Sequence, residues 1–194
     1  MATRVLGGTA KGRPLRVGRG LAIRPTESRL RGALFDILGS RFDLGDARLL
    51  DLFAGSGSLG IEALSRGAGF VVFVEKSPVA VRTLRENLVR CGFADRARVL
   101  QAPVEAALRR LASQGEKFDG VFVDPPYERG FLGPTLRALD RLGLLRPGGW
   151  VAVHRTTREP VEDRYGELRL TRERRYGTRA VSVYALPDEK SEGS

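Results

Sequence analysis

From residue 48 onwards the chain alternates short, dense apolar runs with longer stretches where apolar residues return every three or four positions. RLLDLF (48–53), FVVFVE (70–75), RVLQ (98–101), FDGVFVD (118–124) and LRPGGWVAVHR (145–155, a turn leading into its run) predict strands. LGIEALSRG (59–67), PVAVRTLRENLVRCG (78–92), VEAALRRLAS (104–113) and LGPTLRALDRL (132–142) predict the helices between them. Pro78 falls in the first turn of one helix and Gly92 just past its end, the usual punctuation. Strands joined by helices of this length predict βαβ units and a parallel sheet with right-handed crossovers.

Both ends break the pattern. Leu30, Ala33, Leu34, Ile37 and Leu38 form a helical stripe, with Pro25 and Thr26 as its start and N-cap. Before it, residues 1–25 hold five glycines and two prolines, and RVLGG and RPLRV read as short strands of a hairpin. GELRLTRERRYGTRAVSVYAL contains two strand-like runs turning at Tyr176–Gly177, an antiparallel hairpin, and PDEKSEGS is polar. The expected organisation is a basic extension (1–25), one domain (26–186) and a disordered tail (187–194).

Composition narrows the chemistry. With 194 residues and 42% hydrophobic content, one domain with a real core is expected. The single cysteine, Cys91, excludes an internal disulfide framework or a cysteine-based zinc site. The single histidine, His154, excludes a multi-histidine metal centre and reads as a strand-edge residue. No apolar run reaches membrane-spanning length, and the N-terminus lacks a secretory apolar core. A cytoplasmic monomer without metal is expected. The net charge of +10 is uneven: residues 1–31 carry +7 and residues 164–179 carry +4. Two basic segments flanking a nearly neutral body form the footprint of a protein that meets phosphates.

The sharpest local signal is LLDLFAGSGSLG (49–60), where a strand runs into glycines 55, 57 and 60 and then a helix. Glycines let the backbone approach a ligand, and the helix N-terminus offers free N–H groups to an anion. Glu75, ending the next strand, is placed to accept hydrogen bonds from ribose hydroxyls. Asp51 separates the candidate nucleotides. A dinucleotide's pyrophosphate already fills such a loop with negative charge, whereas S-adenosylmethionine brings an ammonium and a sulfonium that suit an added acid. Farther along, VFVDPPY (121–127) ends a strand with a carboxylate, a stiffened donor-poor backbone and a ring. That combination suits holding one amino group and stacking the base that carries it.

These stretches carry a resemblance. DLFAGSGSLGIEALSRGA and VFVDPPY are similar to motifs of the class I amino-methyltransferases. RVLGGTAKGRPL, IRPTESRLRGALFDIL and the closing hairpin resemble the bacterial 16S ribosomal RNA guanine-N2 methyltransferases, the guanine-966 family, over roughly residues 3–186. The resemblance implies an α/β, Rossmann-like class I methyltransferase fold: a mostly parallel seven-stranded sheet, a C-terminal antiparallel hairpin and a short basic extension. It implies S-adenosylmethionine as cofactor, S-adenosylhomocysteine as product, and 16S rRNA as substrate, free or within the small ribosomal subunit or its assembly intermediate. The implied cofactor residues are Asp51, Phe53, Ala54, Gly55, Gly57, Glu75, Lys76, Val104, Glu105 and Asp124. Adenine would sit near Ala102–Glu105, although Gln101 and Ala102 stand where related enzymes often have Asp or Asn, and Glu105 reads equally as a first-turn helix acid.

At the acceptor, Asp124 would accept one amine N–H and the Pro125 carbonyl the other, with Pro126 limiting the backbone and Tyr127 stacking on the base. Guanine N2 inside a duplex is out of reach of a pocket at a sheet edge. The target is therefore expected unpaired or flipped out, against Tyr127 and Phe131. Arg4, Lys11, Arg13, Arg16, Arg24, Arg29 and Arg31 are the expected RNA contacts, while Arg24 and Thr26 serve equally as cofactor contact or helix start. A DNA adenine-N6 or cytosine-N4 methyltransferase would use nearly the same tetrapeptide. A dehydrogenase would leave it without a task. A non-catalytic RNA-binding assembly protein would not need Asp51, Glu75 and Asp124 together.

Overall fold

The computed structural model describes residues 3–17 and 25–187, the side chains of 25–27 excepted. In chain order the elements are β1 (Thr3–Arg4), β2 (Pro14–Leu15), α1 (Pro25–Gly39), β3 (Arg48–Leu52), α2 (Ser58–Ser65), β4 (Phe70–Glu75) and α3 (Pro78–Cys91). They continue with β5 (Ala97–Gln101), α4 (Val104–Ser113), β6 (Phe118–Val123), α5 (Leu132–Arg141), β7 (Leu145–Thr156), β8 (Arg164–Tyr165), β9 (Leu168–Tyr176) and β10 (Arg179–Ala185).

The main sheet runs β5-β4-β3-β6-β7-β10-β9-β8. Its first five strands pair in parallel and β10 and β9 return antiparallel. The seven expected strands are all present, and the two-residue β8 adds an eighth at the edge, pairing Arg164 with Arg169 and Tyr165 with Leu168. One apolar layer packs α1, α2 and α3 on one face; α4 and α5 cover the other. Phe122 and Trp150 meet edge-on in the first layer, their ring centroids 5.2 Å apart. Gly120 makes this possible, since a Cβ there would lie 2.2 Å from the Trp150 ring. The RPGG stretch, expected as a turn, is instead the first part of β7, with an irregularity in its pairing with β6 between Phe118 and Gly120.

Because β3 is followed by β4 and β5 on one side while β6 and β7 lie on the other, the C-terminal ends of β3 and β6 flank a topological switch point. Crossovers diverge there and leave a crevice. The glycine loop follows β3 and the Asp-Pro-Pro-Tyr stretch follows β6, so strand adjacency alone brings the two motifs together.

β1 and β2 pair antiparallel, and Val5, Ala10 and Leu15 join the first core layer. Helix side chains clamp this segment. Glu62, fully buried, accepts from the N–H of Leu6 at 2.7 Å and of Gly7 at 2.9 Å. The Ser65 hydroxyl accepts from Ala10 N at 2.9 Å. Asn87 accepts from Arg16 N and donates to the carbonyls of Arg16 and Ser56, so one amide joins the extension to the glycine loop. Among the described residues no helix is long and apolar enough to cross a membrane.

Candidate active site

A cavity of about 1010 Å³ opens at the switch point. Phe53, Ala54 and Gly55 line one end with Glu75, Lys76 and Ala102–Glu105; Asp124–Tyr127, Phe131 and His154 line the other. Its volume is at the upper end of the range for small-molecule sites, enough for a nucleoside beside a base.

At the first end the backbone leaves ordinary geometry. Phe53 (φ 59°) and Gly55 (φ 54°) both take left-handed conformations, costly for phenylalanine. Glu75 holds the loop: its Oε2 accepts from Gly55 N at 2.9 Å and its Oε1 from Ser77 N at 2.7 Å. Each carboxylate oxygen keeps a second lone pair, leaving Glu75 oriented and still able to accept from a ligand hydroxyl.

Two glycine-loop expectations need correcting. Gly57 does not line the cavity; a Cβ on it would lie 2.1 Å from Leu84 Cδ1, so its task is close packing of α2 and α3. Asp51, expected to face a ligand ammonium, is 1% exposed and not part of the cavity wall. Its side chain points beneath the start of α2, where Oδ2 accepts from Gly60 N at 2.9 Å. Burial, reinforced by the charges of Asp124 and Glu75 and opposed by the Gly60 bond, pushes its carboxyl up to about 8. Asp51 acts as a buried brace for the loop. Glu105 lies at the cavity rim and pairs with Arg109, as a first-turn helix acid would.

At the second end Asp124 follows β6 directly and is about a third exposed. The Tyr127 hydroxyl approaches its Oδ1 at 3.4 Å. His154 Nδ1 stands 3.6 Å from its Oδ2, an electrostatic contact too long for a hydrogen bond. His154 is buried, and its Nε2 has no partner among the described residues. Expected at a strand edge, it lines the cavity beside Asp124. The Arg179 guanidinium lies over the Tyr127 ring, 3.7 Å from its centroid, so it covers one face of that ring. Phe131, 39% exposed, meets Phe53 with centroids 5.8 Å apart and offers a second ring at the cavity.

The basic residues divide. Arg4, Lys11, Arg13 and Arg29 are exposed. Arg16 is exposed but pairs with Glu86 at 2.6 Å. Arg31 is not the surface cation expected: it is 5% exposed, donates to the Arg4 carbonyl at 2.6 Å and lies 3.8 Å from Glu62. The buried Glu62 carboxylate, with Leu6 and Gly7 already on it, draws this cation inward. Arg24 lies outside the described residues.

Residues 3–185 match the protein family described as conserved hypothetical protein 95. The chain belongs to this family. Among its relatives, YlbH of Bacillus subtilis, named as a candidate rRNA methyltransferase, is 36% identical over 181 residues, 93% of this chain and 97% of YlbH. Ribosomal RNA small subunit methyltransferase D of Escherichia coli K12 is 40% identical over 149 residues, 77% of this chain and 69% of its own length. The solved structure of yhhF from Escherichia coli matches with a TM-score of 0.83 at 35% identity, over 97% of this chain and all of yhhF. The conserved hypothetical protein 95 chain thus has the class I methyltransferase fold that its motifs imply.

Proposed function

We propose that this protein methylates the exocyclic N2 of a guanine in 16S rRNA, guanine-966 by family resemblance, acting as a cytoplasmic monomer on free RNA, the small ribosomal subunit or its assembly intermediate. The observation that carries the reading is the convergence in one cavity of a glycine loop braced by Glu75 with an Asp-Pro-Pro-Tyr stretch.

The residues present fit S-adenosylmethionine. The cavity has room for a nucleoside beside a base, Glu75 is oriented with acceptor capacity to spare, and the Phe53–Gly55 backbone leaves its wall free of bulk. Glu75, Lys76 and the start of α4 at Val104 would hold the nucleoside part. When bound, S-adenosylmethionine supplies a methyl group on a sulfonium and leaves as S-adenosylhomocysteine.

The chain's own work is at the amine. A guanine amine is a poor nucleophile because its lone pair is delocalised into the ring. Asp124 accepts one N–H and the Pro125 carbonyl the other, which turns the nitrogen towards the methyl and stabilises the positive charge that grows on it. Asp124 then takes the proton that the methylated nitrogen sheds and passes it to water. The rings of Tyr127 and Phe131, both in the cavity wall, stack on the extruded base.

The test follows labelled methyl groups into small subunits lacking the modification, protein-free 16S RNA and duplex DNA, with wild type and Asp124→Ala. The reading expects N2-methylguanine in ribosomal RNA, lost in the variant. Label in DNA would overturn it.

A further inference from the structure

On the reading that the substrate is RNA, we propose that one face of β9, carrying Arg169, Arg172 and Arg174, holds the phosphates flanking the target base.

Strand register defines this face. His154 pairs with Val181, and Val181 pairs with Arg174. Ala152 pairs with Val183, and Val183 with Arg172; Trp150 pairs with Ala185, and Ala185 with Arg169. Directly paired residues project on the same side of a sheet. The three arginines therefore lie on the face that bears His154 at the acceptor end, while Glu173 and Arg175, in register with Ser182 and Ala180, lie on the other.

Charge separates the two faces. On the far face Glu173 pairs with both Arg155 and Arg175. Arg169, Arg172 and Arg174 are exposed and have no acidic partner among the described residues. Edge strands commonly carry cations that discourage pairing with other chains. That would account for charge along β9, but not for its own acid, Glu173, pairing on one face while Arg169, Arg172 and Arg174 keep no acid on the other among the described residues. Arg164 of β8, opposite Arg169, pairs with Glu167.

Distance suits a flanking strand. Adjacent strands lie about 4.8 Å apart, which puts Arg174 roughly 10 Å from His154 and about 14 Å from the strand carrying Asp124. Arginine side chains from there reach the nucleotides on either side of a base held at Asp124. Arg172 and Arg174 are about 6.6 Å apart along the strand, comparable with the repeat of successive phosphates. Arg179, paired in register with Tyr176 and Thr156 and resting on Tyr127, bridges the ledge and the pocket.

The test compares wild type, an Arg169→Gln/Arg172→Gln/Arg174→Gln variant and Arg175→Gln, a far-face control. Binding of 16S RNA is measured across salt concentrations, with RNA KM, kcat and S-adenosylmethionine affinity. The triple variant is expected to raise RNA KM and to flatten the log–log salt slope by about 2, near 0.7 per contact, with kcat and cofactor affinity retained. Arg175→Gln is expected to leave the slope unchanged. A triple variant with wild-type slope, in a protein that methylates RNA, overturns the ledge alone. An equal loss in the Arg175 variant overturns the choice of face. A wild type that binds no RNA overturns the functional reading, and the ledge with it.

Discussion

His154 and Asp124 face each other at the ends of neighbouring parallel strands, Nδ1 of the ring 3.6 Å from Oδ2 of the carboxylate. With Tyr127 on the other oxygen, Asp124 is approached from both sides and aimed at the cavity. Nε2 is buried without a partner among the described residues, so a proton on Nδ1 is the arrangement that leaves no buried N–H orphaned. If Asp124 receives the amine as proposed, His154 is placed to position that carboxylate. His154→Leu is expected to lower kcat by about tenfold to a hundredfold, the scale of a misplaced reacting group, with cofactor affinity unchanged. His154→Asn, which restores an N–H near the Nδ1 position, is expected to recover most of the loss. Equal kcat in the two variants would sink the assignment.

Tyr127 lines the cavity beside Asp124, with the Arg179 guanidinium over its ring, and is the residue proposed to stack on the base. Stacking of a base on an aromatic ring contributes about 1–3 kcal/mol. Tyr127→Phe is expected to keep RNA affinity and Tyr127→Ala to lose about fivefold to a hundredfold. Steady-state KM and direct RNA binding check this; unchanged values in Tyr127→Ala would remove the stacking role.

Asp51 makes the stability of the ligand-free protein depend on pH. Its folded-state pKa, about 8, lies above the ordinary value of 3.8. Between these values the folded protein binds more protons than the unfolded one, so stability falls as pH rises from about 4 to about 8. Asp51→Asn keeps an acceptor for Gly60 N and removes the titration. Its thermal unfolding is expected to be flatter with pH across that window, with a higher melting temperature than wild type at pH 8. A variant that follows the wild-type profile would show that another group governs the slope.

Arg31 and Arg29 are two residues apart on α1 and are expected to fail differently. Arg29→Gln, at an exposed position, should lower the salt dependence of RNA binding and leave unfolding alone. Arg31→Met removes the cation beside the buried Glu62. Arg66, 2.8 Å from the same carboxylate, still compensates Glu62. Losing the Arg31 contact and its bond to the Arg4 carbonyl is therefore expected to cost about 1–3 kcal/mol, visible in denaturant unfolding. The opposite pattern would return Arg31 to the RNA surface.

The fold was legible because its signals are local. FVVFVE predicts β4 (Phe70–Glu75) residue for residue, and Pro78 with Gly92 bounds α3 to within a residue. The glycine loop and Asp-Pro-Pro-Tyr were equally legible, since each is contiguous and follows a strand. What was not legible depends on which strands lie side by side. Nothing near His154 says that its strand adjoins the one ending at Asp124, or that Arg179 will rest on Tyr127. Asp51 was misjudged for a related reason: its strand is apparent, but the face it turns to is set by α2 packing above it. Arg31 sits beside an apolar stripe like any surface arginine, and its burial depends on partners distant in sequence, the Arg4 carbonyl and Glu62.

The clamp on the N-terminal extension has a consequence for how the molecule comes into being. Residues 3–17 are made before the side chains that fasten them, since Glu62, Ser65 and Asn87 follow some 55 to 71 residues later. Closing loops of that length is entropically unfavourable until the partners on α2 and α3 are in place. A segment made before its partners is thus secured only after them, and until then it is an undocked cationic stretch. Because Asn87 grips both Arg16 and Ser56, docking of that segment and the seating of the glycine loop share one side chain.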